Sequence, residues 1–183
     1  MNEEMKMDIE KANYGTIVRF GQLSDLKNKI KMENTNISNI VNWTDEEGVS
    51  LLERSLISRK FEISKYLIEN NARINNVSKD GCNEFHYLAA SINSKEALEI
   101  AYMLLWKGTS LMQKDLKYGN IALFSLCIEA FKERSKPVMQ FIQECLKNAT
   151  DIDEQNNRGI SVRQLIYERG DDETKKIVEE IYG

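Results

Sequence analysis

Apolar and polar residues alternate along this chain at helical spacing, in short stretches separated by polar segments. The stretch 48–75 shows the pattern most clearly, and it predicts two helices, Ser50–Ile57 and Glu62–Asn70, joined by a short turn. The apolar residues that fall on one side of each predicted helix are Leu52, Leu56, Ile63, Leu67 and Ile68. Asn71 follows the second helix, where Asn can take the left-handed cap conformation in place of Gly.

The same pattern returns after each of four glycines. Gly48, Gly81, Gly119 and Gly159 lie 33, 38 and 40 residues apart. The segments that follow them are similar: GVSLLERSL, GCNEFHYLA, GNIALFSLC and GISVRQLIY. A period of this length indicates helical units that stack on their neighbours rather than one closed core.

The stretch 48–80 resembles the ankyrin repeat, whose pattern is G-x-T-P-L-H-x-A-A followed by E-I-V-x-x-L-L-x-x-G-A-D-V-N. Residues that match this pattern are Ser50, Leu52, Ser55, Leu56, Glu62, Ile63, Leu67, Ile68, Ala72, Ile74 and Asn75. The resemblance covers residues 9–182, with extra residues near Ile92–Glu96 and around Ala130–Lys136 that separate the two helices of their units. The family proline is missing from every unit, and only His86 keeps the histidine.

The resemblance implies an all-α fold: an ankyrin-repeat solenoid of about five helix-turn-helix units with hairpin-like loops and capping end repeats. It implies a single domain over residues 1–183, with an N-terminal capping unit at 1–41, three central repeats over 42–158 and a C-terminal capping unit at 159–183. Two alternatives stay open, another solenoid of helix pairs and a helical bundle with coincidental phasing.

Composition favours a cytoplasmic protein that binds neither nucleic acid nor membranes. The 183 residues include 42% apolar and 30% charged residues, and the net charge of −4 is spread in mixed sign along the chain. Binding to nucleic acid or to an anionic bilayer needs a field of Lys and Arg, which this pattern lacks. The start of the sequence has no signal-peptide pattern, the three cysteines fit reduced thiols, and the abundance of Lys, Asn, Ile and Glu suggests a bacterial or viral source.

The candidate chemical groups favour structural roles over catalysis. His86 is the only histidine, and its place in the ankyrin pattern implies that its ring bonds the backbone of a neighbouring repeat. Acidic clusters at 45–47 and 171–173 fit a turn and a helix start. We therefore predict no catalytic residue, no metal site and no cofactor. The remote alternative is a metal-dependent or acid/base enzyme that uses His86 and residues 45–47.

Stacks of ankyrin repeats bind proteins with the tips of their turns and with their first helices. The residues that the resemblance assigns to such a partner-binding surface are Trp43, Asp45, Glu46, Arg54, Lys79, Tyr87, Lys114, Lys117, Tyr118 and Arg158. Trp43 has a second interpretation, in which it packs beneath the first hairpin, and Tyr87 has one in which it packs between helices. Exposed Trp, Tyr and Arg are the residue types that most often anchor interfaces.

The sequence thus predicts a non-enzymatic module that sequesters or neutralises a protein partner. Small acidic ankyrin proteins of bacterial type resemble immunity proteins, so a toxin domain is the first candidate partner. The alternative is an adaptor or a host-directed effector that binds a regulatory protein. We expect no small-molecule substrate in either case.

Overall fold

The computed structural model describes residues 8–183, which form α-helices and contain no β-strand. The all-α class predicted from the sequence is therefore confirmed for this part of the chain. The chain divides into two compact units, Met1–Arg73 and Ile74–Gly183. No helix of the described part is both long enough and apolar enough to cross a bilayer. The prediction of a single domain with repeat limits at 41, 158 and 183 stays a prediction.

The first unit holds five helices in its described part. They are α1 (Tyr14–Phe20), α2 (Leu23–Met32), α3 (Ile37–Ile40), α4 (Leu51–Ile57) and α5 (Phe61–Glu69). Helices α1 and α2 pack together, as do α4 and α5, and the two pairs meet through α1 against α4 and α2 against α5. The side chains buried between them include Ile17, Leu26, Leu52 and Leu67.

The second unit holds six helices, arranged as three consecutive pairs. They are α6 (Glu84–Ala89), α7 (Lys95–Trp106), α8 (Ala122–Glu133), α9 (Lys136–Asn148), α10 (Val162–Arg169) and α11 (Asp172–Tyr182). The first helices of the pairs form one row, α6–α8–α10, and the second helices form another row, α7–α9–α11. The core between the two rows includes Phe85, Leu126, Phe141 and Ile142.

The four glycines of the sequence pattern adopt one backbone conformation. Their φ angles are 73°, 76°, 67° and 73°, in the left-handed region that favours glycine. Each donates its N–H to the carbonyl three or four residues earlier, at 2.9–3.1 Å. The N-cap residue of the next helix follows two positions later in every case, and these caps are Ser50, Asn83, Ile121 and Ser161. A glycine turn followed by a helix start therefore recurs along the chain, once in the first unit and three times in the second.

The helices α4 and α5 lie within one residue of the predicted bounds, and local features of the sequence explain several helix ends. Ser50 is the N-cap of α4, where its Oγ accepts the N–H of Glu53 at 3.1 Å and the Glu53 carboxylate accepts the N–H of Ser50 at 2.7 Å. Asn71 has a φ of 61°, as expected for a left-handed cap. Pro137 lies in the first turn of α9.

One boundary differs from the expectation. The extra residues around Ala130–Lys136 were expected to separate two helices, but α8 continues to Glu133. Ala130 and Phe131 are buried, so the added turn of helix extends the core instead of forming a loop. The helix ends at Arg134, which has a φ of 54°.

Candidate functional site

The middle of the three glycine turns in the second unit is the segment 115–119, which we call the Asp115 turn. Asp115 is buried, and its two carboxylate oxygens accept the N–H groups of Tyr118 at 2.6 Å and Asn120 at 3.0 Å. These bonds fix the backbone on both sides of Gly119. The Tyr118 side chain is left 47% exposed, and the Lys117 Nζ lies 4.9 Å from the centre of its ring.

Backbone hydrogen bonds join consecutive turns within this unit. The N–H of Leu116 donates to the carbonyl of Asp80 at 2.8 Å, and the N–H of Asn157 donates to the carbonyl of Tyr118 at 2.9 Å. The Asn156 side-chain amide also donates to the Asn120 Oδ1 at 2.8 Å. We call segments 78–81 and 156–159 the Ser78 turn and the Asn156 turn. Both are thus fixed to the Asp115 turn, so the backbones of all three turns have defined relative positions.

His86 connects α6 to the Asp115 turn. The Asn120 carbonyl can only accept, so the His86 Nε2 at 3.1 Å carries a proton and donates it. In the neutral ring the Nδ1 then accepts the N–H of Asn83 at 3.2 Å. Burial lowers the pKa of His86, while the bond to Asn120 and the charge of Asp115 partly oppose this shift. The ring bonds the backbone of the next turn, as the sequence predicted, and this bonding uses both of its nitrogens.

Two open grooves lie on either side of the Asp115 turn. The first has a volume of about 560 Å³ and lies toward the Ser78 turn and α6. Its charged lining consists of Asp80, Asp115 and Glu129 with Lys117, beside His86. We call it the acidic groove.

The second groove, of about 520 Å³, lies between the Asp115 turn and the Asn156 turn. Its charged lining is mainly positive, with Lys117, Arg158 and Arg169 against Glu168. Apolar side chains complete it: Phe124, Ile128, Ile160 and Leu165. We call it the basic groove, and Lys117 and Tyr118 border both grooves. The surface formed by the three turns and by α6, α8 and α10 is the groove face.

The predicted contact residues of the second unit fall into two groups. Lys79, Lys117, Tyr118 and Arg158 are exposed at the turns. Two others have internal partners: the Lys114 Nζ lies 2.9 Å from the Glu154 carboxylate, and the Tyr87 hydroxyl donates to the Ser78 Oγ at 2.7 Å. Tyr87 and Lys114 therefore contact other residues of their own unit and do not line the grooves.

The predicted contact residues of the first unit are Trp43, Asp45, Glu46 and Arg54. Glu46 is exposed and Trp43 is half-buried. A Cβ atom on Gly15 would lie 3.0 Å from the Trp43 ring, so the ring packs closely on Gly15. This contact favours the interpretation in which Trp43 packs inside its unit.

The Arg54 guanidinium donates to the Asp45 carboxylate. Burial alone would raise the pKa of Asp45, but the hydrogen bonds from Arg54 and from the N–H of Val49 outweigh it and hold the pKa below its ordinary value. Arg54 and Asp45 therefore neutralise each other at this turn.

Several lining residues of the grooves were missed from the sequence. Glu129 and Arg169 lie one helical turn after Ser125 on α8 and Leu165 on α10, which also line the grooves. A spacing of four residues places each pair on one face of its helix, and this spacing is the signal that could have indicated them. Asp80 and Phe124 gave no signal, because an acid in a turn and an aromatic residue in a helix are ordinary features.

The described residues contain no group of three His, Cys, Asp or Glu side chains that could hold a metal ion. Cys127 and Cys145 are buried, and burial raises the pKa of both thiols. Comparison with family models gave no match for this chain, and comparison with curated proteins gave none.

Proposed function

We propose that this protein is a non-enzymatic binding module of the ankyrin-repeat type that binds another protein through its groove face. The observation that carries the proposal is the meeting of the two open grooves at Tyr118, an exposed ring on a hydrogen-bonded turn. The ankyrin assignment is supported by four equivalent glycine turns and by helix pairs that stack within each unit.

Rigid presentation of Tyr118 favours recognition of a partner. A turn whose backbone is already ordered loses less conformational entropy when it binds. The carboxylate of Asp115 accepts the backbone N–H of Tyr118, and the Tyr118 carbonyl accepts the N–H of Asn157, so the backbone that carries the ring is ordered before any partner arrives. Tyr is also one of the residue types that contribute most to interfaces when a partner removes its ring from water.

The shape of the site suits a macromolecule. Sites for small molecules are usually enclosed cavities that bury most of the ligand. The two grooves are open and extend along three successive turns, so a protein segment or surface can contact both at once. Their opposite charges would favour one orientation of the partner.

Cross-linking tests which face binds. A photoreactive benzoylphenylalanine at Tyr118 reports on the groove face, and the same residue at Trp106, which is 76% exposed at the end of α7, reports on the other row of helices. The partner to test first is the purified product of the adjacent gene. We expect a cross-linked product from position 118 that wild-type protein competes away, and none from position 106. A product from position 106 alone would contradict the proposal.

The specific role that we propose is neutralisation of a toxin domain. If the product of the adjacent gene is toxic when it is expressed alone, co-expression with this protein should restore growth, and the Tyr118→Ala variant should restore it less. Trp106→Ala is the matched control, because it removes an exposed aromatic ring outside the grooves. Equal protection by both variants would contradict a role of the groove face in neutralisation.

A further inference from the structure

The cations of the basic groove lack the carboxylate partners that neighbouring cations have. The Lys114 Nζ lies 2.9 Å from the Glu154 Oε1, and the Arg163 Nε lies 2.6 Å from the Asp153 Oδ1. Within residues 8–183, no ion pair within 4.0 Å includes Lys117, Arg158 or Arg169. Among the described residues, the charged side chains that line this groove are these three cations and one acid, Glu168. The groove therefore has a local excess of positive charge. This excess contrasts with the net charge of −4 of the whole chain.

The groove also offers an apolar floor. Phe124 and Leu165 lie at its base and are almost fully buried, at 6% and 2% exposed, whereas Ile128 and Ile160 are half-buried and supply its exposed apolar surface. An apolar side chain that covered Ile128 and Ile160 would remove their remaining apolar surface from water. Guanidinium groups at the edge can each bind a carboxylate through two parallel hydrogen bonds. The lining thus combines an apolar contact with sites for negative charge.

We infer that the basic groove binds an acidic segment of the partner protein, with an apolar side chain on the surface of Ile128 and Ile160 and carboxylates at Arg158 and Arg169. This inference rests on the proposed function and names the chemistry of the partner. The acidic groove beyond Tyr118 repels further carboxylates, so the acidic end of the segment lies toward the Asn156 turn. The same acids, Asp80 and Glu129, disfavour a nucleic acid, whose phosphates would continue into the acidic groove.

Designed peptides test this charge preference on the full chain. The probe is a fluorescein-labelled heptapeptide with five acidic residues around a Leu-Phe pair. The comparison probes carry five lysines around the same pair, or five acids around Ala-Ala, and a fourth is a short single-stranded DNA. Fluorescence anisotropy at low ionic strength should show at least tenfold tighter binding of the acidic Leu-Phe peptide than of any other probe.

Charge reversal then locates the binding. Arg158→Glu and Arg169→Glu should each weaken binding of the acidic peptide about tenfold, and Arg158→Lys should weaken it less. Lys107→Glu is the control, since it makes the same change of net charge at an exposed residue outside both grooves. Thermal unfolding checks that all variants fold.

The inference is overturned if the lysine peptide or the DNA binds best, if the acidic peptide does not bind, or if Lys107→Glu weakens binding as much as Arg158→Glu. These outcomes leave the proposed function standing when the partner still cross-links from position 118. Loss of that cross-link would remove the proposed function itself, so the two failures are distinguishable.

Discussion

The Ser78 turn and the Asn156 turn have the same backbone geometry but different surroundings. Gly81 and Gly159 have φ angles of 76° and 73°. A Cβ atom on Gly81 would lie 2.8 Å from the Lys114 carbonyl oxygen and 3.0 Å from the Leu116 nitrogen, whereas the nearest atom to a Cβ on Gly159 would be the Gln155 Oε1 at 4.0 Å. The first glycine is required by its conformation and by the backbone of the next turn, and the second by its conformation alone.

The difference shows how the sequence pattern and the stacking are related. The Asp115 turn lies against the Ser78 turn, so both turns must keep a close backbone approach. The approach to Gly119 is less strict, since its Cβ would lie 2.5 Å from the Asn157 Oδ1, a side-chain atom, and 3.3 Å from the Asn157 backbone nitrogen. The Asn156 turn lies on the far side of the Asp115 turn and is open beyond Gly159. A repeated glycine therefore marks a turn, and only its neighbours show whether another turn packs against it.

The largest effect should come from replacing the packed glycine. Gly81→Ala combines left-handed strain with a backbone clash, and we expect it to lower the free energy of unfolding by about 2–5 kcal/mol. Gly159→Ala adds strain alone and should cost about 1–2 kcal/mol. Urea denaturation of both variants measures the difference. Equal losses would mean that the next turn does not pack against Gly81.

The next effect should come from the side chain that holds each turn. Asp115→Ala leaves the N–H groups of Tyr118 and Asn120 without their carboxylate in a buried setting, which should cost about 2–3 kcal/mol. Asn156→Ala removes a half-buried amide that accepts two equivalent N–H groups, and it should cost about 1 kcal/mol. Chemical denaturation checks both values. A larger loss for Asn156→Ala would mean that Asn156 stabilises its turn more than Asp115 does, contrary to this expectation.

The stability of the Asp115 turn should depend on pH more than that of the other turns, because His86 bonds Asn120 there. Burial lowers the pKa of His86 in the folded protein, so the unfolded chain binds more protons once the pH falls below about 7. The free energy of unfolding should therefore fall as the pH drops from about 7 toward 5. His86→Gln should flatten this dependence. An unchanged slope would show that His86 does not titrate as its burial requires.

The smallest effect on stability should come from Tyr118→Ala. The ring is 47% exposed, so the free energy of unfolding should change by less than about 0.5 kcal/mol. Binding of the partner should weaken at least about fivefold, as expected for an aromatic anchor. Calorimetric titration with the partner and denaturation of the free variant give the two numbers. A large loss of stability with unchanged binding would assign Tyr118 to the core.

Local signals explain what could be predicted from the sequence. Several features depend on only a few adjacent residues: the left-handed glycines, the N-cap of α4, the Asn71 cap and the position of Pro137. The extension of α8 to Glu133 could not be predicted, because it depends on space in the core for Ala130 and Phe131. The short helix α3 had no periodic pattern to indicate it.

The site was predictable only in part, because some of its features depend on contacts between residues that are far apart in sequence. Exposure of Tyr118 and Lys117 follows from their place in a polar turn. The engagement of Lys114 by Glu154 joins residues 40 positions apart in sequence, and no local signal indicates such a pair. The three cations of the basic groove likewise come from three separate elements, the Asp115 turn, the Asn156 turn and α10, so its charge becomes visible only when these elements are assembled.

The most direct test of the central claim is an NMR titration of the full ¹⁵N-labelled chain with its unlabelled partner. We predict that the amide signals of Lys117, Tyr118 and Arg158 shift or broaden on binding, while that of Trp106 stays in place. Changes confined to Trp106 and its row of helices, with the turn signals unmoved, would contradict the claim that the groove face binds the partner.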